Sequence, residues 1–175
     1  MPKYSYNPDT SPWQWCLADH TDVADIVAMA EQHFQLEIDA LFVPEPLYYA
    51  YNVDTAITRQ HHYHSLEQVI VARDKTSGVL MAYAWLGRSG HTVWSQDELA
   101  EAKIAHVDLA LSSRTRITLV AQILQHWCTW CTACEIPVLV STSIRSDQTA
   151  FMRLHQHMGF VVRGAIGYKR IKEFV

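Results

Sequence analysis

Phe151-Met-Arg-Leu-His-Gln-His-Met-Gly-Phe160 is the stretch on which the reading of this chain turns. An amphipathic helix pattern runs up to Gly159, and an apolar segment, residues 160–171, follows at once. Glycine takes the left-handed backbone conformation that closes a helix, so Phe160 is expected to re-enter the core directly. A proton-carrying side chain, His155, stands four residues before the Gly.

Outward from that junction the chain alternates helix and strand patterns. Residues 147–158 form the last long helix, and 161–169 a final strand or hairpin. Upstream, 137–143 is a buried strand rich in Val and Leu. Before it, 115–134 is a long helix with Ile117, Val120, Ile123, Leu124 and Trp127 on its apolar face. Residues 104–111 alternate as a half-buried strand, and 88–101 are polar and looser. Residues 67–73 and 79–87 make a hairpin around the turn 74–78. Residues 13–17 form a short strand, and Asp19 or Thr21 caps a helix whose face carries Val23, Ile26, Val27, Ala30 and Phe34. The prolines and tyrosines of 42–51 predict a loop or aromatic lid, followed by a helix over 53–64 capped by Asn52 or Asp54. Residues 1–12 read as an irregular arm and 13–175 as one domain. The order predicts an α+β fold, an α/β sandwich in which a mixed, mostly antiparallel sheet carries helices on both faces.

Composition narrows the function classes. The 175 residues are 49% hydrophobic and 18% charged, enough for a single core. A net charge of -4 with no long basic run disfavours a dedicated nucleic-acid or anionic-membrane surface. No apolar run approaches the roughly 20 residues of a membrane span. Cys128, Cys131 and Cys134 sit within a helical pattern, so the four cysteines do not form a disulfide framework. With no secretory signal pattern, a reduced, cytoplasmic protein is expected, whether of cellular or viral origin.

This helix–Gly–Phe–strand junction, together with the element order from about Trp13, resembles the GNAT acetyltransferase superfamily. The resemblance implies that the fourth strand splays from the fifth and that acyl-coenzyme A lies in the gap. The parting would run along Leu109, Ala110 and Leu111 against 138–142. It implies a pyrophosphate loop at Ser112, Ser113, Arg114, Thr115, Arg116 and Ile117, opening a helix whose amides and dipole bind anions. Arg114 matches the first position of the family loop, whereas Ile117 and Leu119 stand where the family has small residues. His155 occupies the place of a Tyr that protonates the departing thiolate, and Gln148 that of an Asn touching the cofactor. His106 and Asp108, two apart on one strand, share a face and form the candidate base that relieves the acceptor amine of its proton.

Other constellations carry less. Three cysteines on a rigid helix spread over about 120° and 9 Å of rise, too far for one ion. His61 and His64 lack a third metal ligand, and no metal is expected. No Gly-x-Ser-x-Gly elbow or Walker loop occurs. Tyr48, Tyr49, Tyr51, Trp85 and Trp94 would line an acceptor pocket or anchor loops. The expected function is acetyl-CoA-dependent N-acyl transfer to a primary amine of a small molecule or peptide. A homodimer is compatible with it. The alternative is the same fold with catalysis lost, serving as a binding or assembly protein, virus-encoded for example.

Overall fold

The computed structural model describes residues 10–37, 42–143 and 148–164. In chain order the elements are β1 (Trp13–Leu17), a 3-10 turn (His20–Asp22), α1 (Val23–Glu37), α2 (Pro46–His62), β2 (Glu67–Asp74), β3 (Leu80–His91), β4 (Glu98–Val107), α3 (Ser113–Ala133), β5 (Val138–Val140) and α4 (Gln148–His157). The strands lie side by side in the order β1-β2-β3-β4-β5. Neighbours from β1 to β4 are antiparallel, and β5 joins β4 in parallel.

Period-two alternation divides the sheet between two helical layers. Val69 and Val71 of β2 and Tyr83 of β3 pack beneath α1 and α2, against Ile26, Ala30, Val53 and Ile57. Their neighbours Ile70, Ala72, Ala82 and Ala84 face the other way, against Leu119, Ile123, Leu124 and Trp127 of α3. The alanines of that face leave room for the indoles of Trp127 and Trp130. Each large apolar side chain buried this way contributes about 1.5–3 kcal/mol.

Local chemistry sets the boundaries. Asp19 caps the first turn: its carboxylate accepts from Thr21 N at 2.7 Å, and Asp22 accepts from Asp19 N at 2.9 Å. The stretch 46–51 is the opening of α2, not a loop, because Pro46 sits at its first position. The lost N–H of proline is unused there, and its fixed φ suits a helix start. Much of 88–101 is also ordered: β3 runs on to His91 and β4 begins at Glu98. The expected strand at 104–111 therefore lies earlier. It ends at Val107, where Asp108 accepts from Ala110 N at 2.9 Å and turns the chain. Residues 161–164 are irregular, and the rest of the expected terminal strand lies outside the described residues.

The opening junction folds as its sequence dictates. Gly159 has φ 89°. Gly159 N donates to Gln156 O at 3.1 Å and Phe160 N to His155 O at 3.0 Å, the paired bonds of a Schellman closure. No described helix is long and apolar enough to cross a membrane.

Candidate active site

Among the described residues β4 and β5 are joined only at Leu99–Val138, Ala100–Leu139 and Glu101–Val140. Beyond Glu101 the two chains part. A cavity of about 520 Å³ opens between residues 102–107 on one side and Ser141, Thr142 and Ser143 on the other. The parting thus occurs along β4 itself. Leu109, Ala110 and Leu111, expected to form that wall as strand, belong to the following turn region, and only Leu109 reaches the cavity. Val138–Val140 is the paired part of the fifth strand. The start of α3, one side of α4 and His33 of α1 also line it, with Trp127 in its wall.

His106 lines this cavity, 2% exposed. Its Nδ1 lies 2.7 Å from the Tyr83 hydroxyl, which lies 2.9 Å from the hydroxyl of Tyr49. Its ring stacks on His33 with centroids 4.1 Å apart and planes within 5°. His33 Nε2 donates to the Val107 carbonyl at 2.9 Å, so its hydrogen sits on that nitrogen. His33, not singled out by sequence, shares the apolar face of α1 at helical spacing from Ile26 and Ala30, which was its available signal. Asp108 is not among the residues that line this cavity. Past the end of β4, it borders a separate recess with Asp25, Gln32 and Arg73.

His155 is 1% exposed and wedged between Phe151 and Phe160, ring centroids 4.3 and 4.9 Å away. Its Nδ1 lies 2.9 Å from the Phe151 carbonyl and its Nε2 2.9 Å from Ser141 Oγ. A carbonyl only accepts, so Nδ1 carries the hydrogen and Nε2 presents its lone pair to the Ser141 hydroxyl. Burial pushes the His155 pKa down, against a smaller upward pull from the Phe151 carbonyl. Ser141 faces the cavity, whereas His155 stands behind it. The only mark of Ser141 in the chain is that it is the first polar residue after Val-Leu-Val.

Helix α3 begins at Ser113, earlier than the expected Thr115 or Arg116, because Ser112 caps it and accepts from Thr115 N at 3.2 Å. Ser113, Arg116 and Ile117 line the cavity, while Ala110, Leu111, Ser112, Arg114 and Thr115 do not. Arg116 Nε is enclosed and has no acceptor among the described residues. Of the two aliphatics in the loop, Leu119 turns fully into the core, and only Ile117, 48% exposed, borders the cleft. The described lining carries Lys103, Arg116 and Arg153 and no carboxylate. The backbone of Gln148 opens α4, and its side chain lies outside the described residues.

The remaining candidates fall elsewhere. Cys128 is exposed and Cys131 buried; burial first, then the neighbouring thiols, push Cys131 up to about 11. Among the described residues no group of three His, Cys, Asp or Glu is arranged to hold a metal. Trp85 donates to Glu67 at 2.6 Å, while Tyr48, Tyr51 and Trp94 are exposed, and none of these lines the cavity.

No family model matches this chain. No curated protein matches its sequence. Solved structures do match. Glucosamine-6-phosphate N-acetyltransferase from Arabidopsis thaliana superposes with a TM-score of 0.67 at 10% identity, over 93% of this chain and 100% of that one. The aminoglycoside 6'-N-acetyltransferase AAC(6')-Ih from Acinetobacter baumannii gives 0.67 at 14% identity, over 91% and 98%. AAC(6')-Iy, in complex with the bisubstrate analogue CoA-S-monomethyl-acetylneamine, gives 0.66 at 14% identity, over 93% and 99%. The fold of this protein is that of the GNAT N-acetyltransferases.

Proposed function

We propose that this protein is an acyl-coenzyme A-dependent N-acyltransferase, specifically an N-acetyltransferase acting on a primary amine. The observation that carries this reading is the cavity opened where β4 and β5 part, bordered by the start of α3. Its volume suits a bound small molecule. Among the described residues β4 has no β5 partner beyond Glu101, and main-chain amides along that edge would serve a thioester-bearing chain and its carbonyl. The cationic lining and the unpartnered Arg116 Nε suit a polyphosphate. His106 is the group that takes the proton of an arriving ammonium, with Tyr83 and Tyr49 continuing the hydrogen-bonded chain. The solved neighbours named for glucosamine 6-phosphate and for an aminoglycoside support a small-molecule amine as acceptor.

Acetyl-CoA binding tests the reading. At 100 times its dissociation constant a ligand adds about 2.7 kcal/mol of stability. For a chain of this size that raises the melting temperature by roughly 5–11 °C. Acetylation of glucosamine 6-phosphate, neamine or another primary amine should follow in a thiol-release assay. Ile117 at the cleft favours a second reading, a catalytically silent binding protein. The absence of both a melting shift and acetyl transfer would select it.

A further inference from the structure

We propose that Ser141 is a catalytic residue of this cleft, and that with His155 it forms a shuttle moving one proton from the attacking nitrogen to the departing sulfur. The inference rests on the transferase reading. Three geometric facts carry it. Ser141 is the member of the pair that faces the cavity. Its Oγ is 2.9 Å from His155 Nε2. The Phe151 carbonyl, 2.9 Å from Nδ1, fixes the imidazole with its lone pair toward that oxygen. This is the arrangement by which a base activates a hydroxyl, with a main-chain carbonyl as the orienting third group.

That orientation excludes the simplest role for His155. A neutral imidazole with its hydrogen on Nδ1 has no proton to offer at Nε2, and Ser141 stands between it and the cleft. The pair can instead receive a proton and return it. The neutral amine attacks the thioester carbon, forming the C–N bond. The surplus hydrogen on nitrogen passes to Ser141 Oγ as the serine hydrogen passes to His155 Nε2. As the C–S bond breaks, the imidazolium returns its proton to Oγ and the serine hydrogen goes to sulfur. The products are the amide and the free thiol, and Ser141 and His155 are regenerated. No outside acid is consumed. The earlier proton, lost when the ammonium becomes an amine, belongs to His106, so the two histidines do not compete.

Among the described residues, the rings of Phe151 and Phe160 and the Ser141 hydroxyl lie against the His155 imidazole. Among the described residues, the titratable or charged side chains that border the same cavity are Arg153 and His157 of α4, Lys103 and His106 of β4, His33 of α1 and Arg116 of α3. None of them contributes to the downward shift of His155, which burial causes. The shuttle requires the neutral form. Turnover should therefore be lost on the acid side, with a midpoint below the ordinary imidazole value of about 6.5.

Ser141→Ala, Ser141→Thr and wild type should be compared. Removal of a positioned acid–base group lowers turnover about 10²- to 10⁴-fold. We expect Ser141→Ala to lose kcat in that range, and the part of the acid limb that His155 sets, while binding acetyl-CoA within about threefold of wild type. Ser141→Thr should recover most of the rate. Nitrogen-15 spectra of the wild-type histidines should show His155 protonated at Nδ1 and bare at Nε2. Full kcat with an unchanged acid limb in Ser141→Ala, or a His155 carrying its hydrogen on Nε2, overturns the shuttle alone. A wild type that neither binds acetyl-CoA nor acetylates any amine overturns the transferase reading, and the shuttle with it.

Discussion

Replacing Gln60 by Leu keeps the approximate volume of the side chain and removes both of its polar ends. Gln60 is buried, accepts from Val69 N at 2.5 Å and donates to the Ala18 carbonyl at 3.1 Å. Without it two main-chain groups beside β2 are left unpaired, at a cost of about 1–3 kcal/mol each. Urea unfolding of Gln60→Leu should show the lower midpoint. A cationic residue tests the cleft. Charge-assisted hydrogen bonds contribute about 1.5–3 kcal/mol, so Arg116→Ala should weaken acetyl-CoA binding roughly 10- to 100-fold. Arg114→Ala should weaken it less, since Arg114 is exposed and away from the cavity wall. Calorimetric titration separates the two.

At the scale of elements, the closure of α4 couples stability to chemistry. An alanine at Gly159 meets nothing within 4 Å, so its cost is that of φ 89° alone. That conformation costs an L-residue about 1–2 kcal/mol. Melting of Gly159→Ala should fall by roughly 2–8 °C. Because Phe160 holds the His155 carbonyl and packs on its ring, kcat should fall with it. The helices and the hairpin were legible in the chain because each declares itself locally: the apolar face of α3, the Asp19 cap, the Gly that ends α4. The opening of α2 was hidden, since Pro46 reads as a breaker unless its place at a first turn is known. β4 was misplaced by two features. Its start, Glu-Leu-Ala-Glu, carries little strand propensity, and its end is set by the Asp108 turn. The pairing of His155 with Ser141 crosses from α4 to the end of β5, 14 residues away, and no local pattern encodes it. His33 and His106 meet across 73 positions for the same reason.

For the molecule as a whole, two enclosed imidazoles tie stability to pH. Burial lowers the pKa of both His126 and His155. The unfolded chain takes up these protons as pH falls through about 6.5, and the folded chain takes them up only below that. The unfolded state therefore binds more protons in that window. The stability these residues contribute is complete above about 6.5 and is lost as the solution becomes more acidic, through the lowered values. Melting temperatures recorded from neutral pH downward should fall across this range, and replacing His126 by Gln should flatten the slope. Trp127, in the cavity wall yet 1% exposed, adds an optical consequence. A tenant of the cleft should alter its indole emission, so occupancy can be followed by fluorescence without a dye. Trp127→Phe should keep the heat of binding and silence that change.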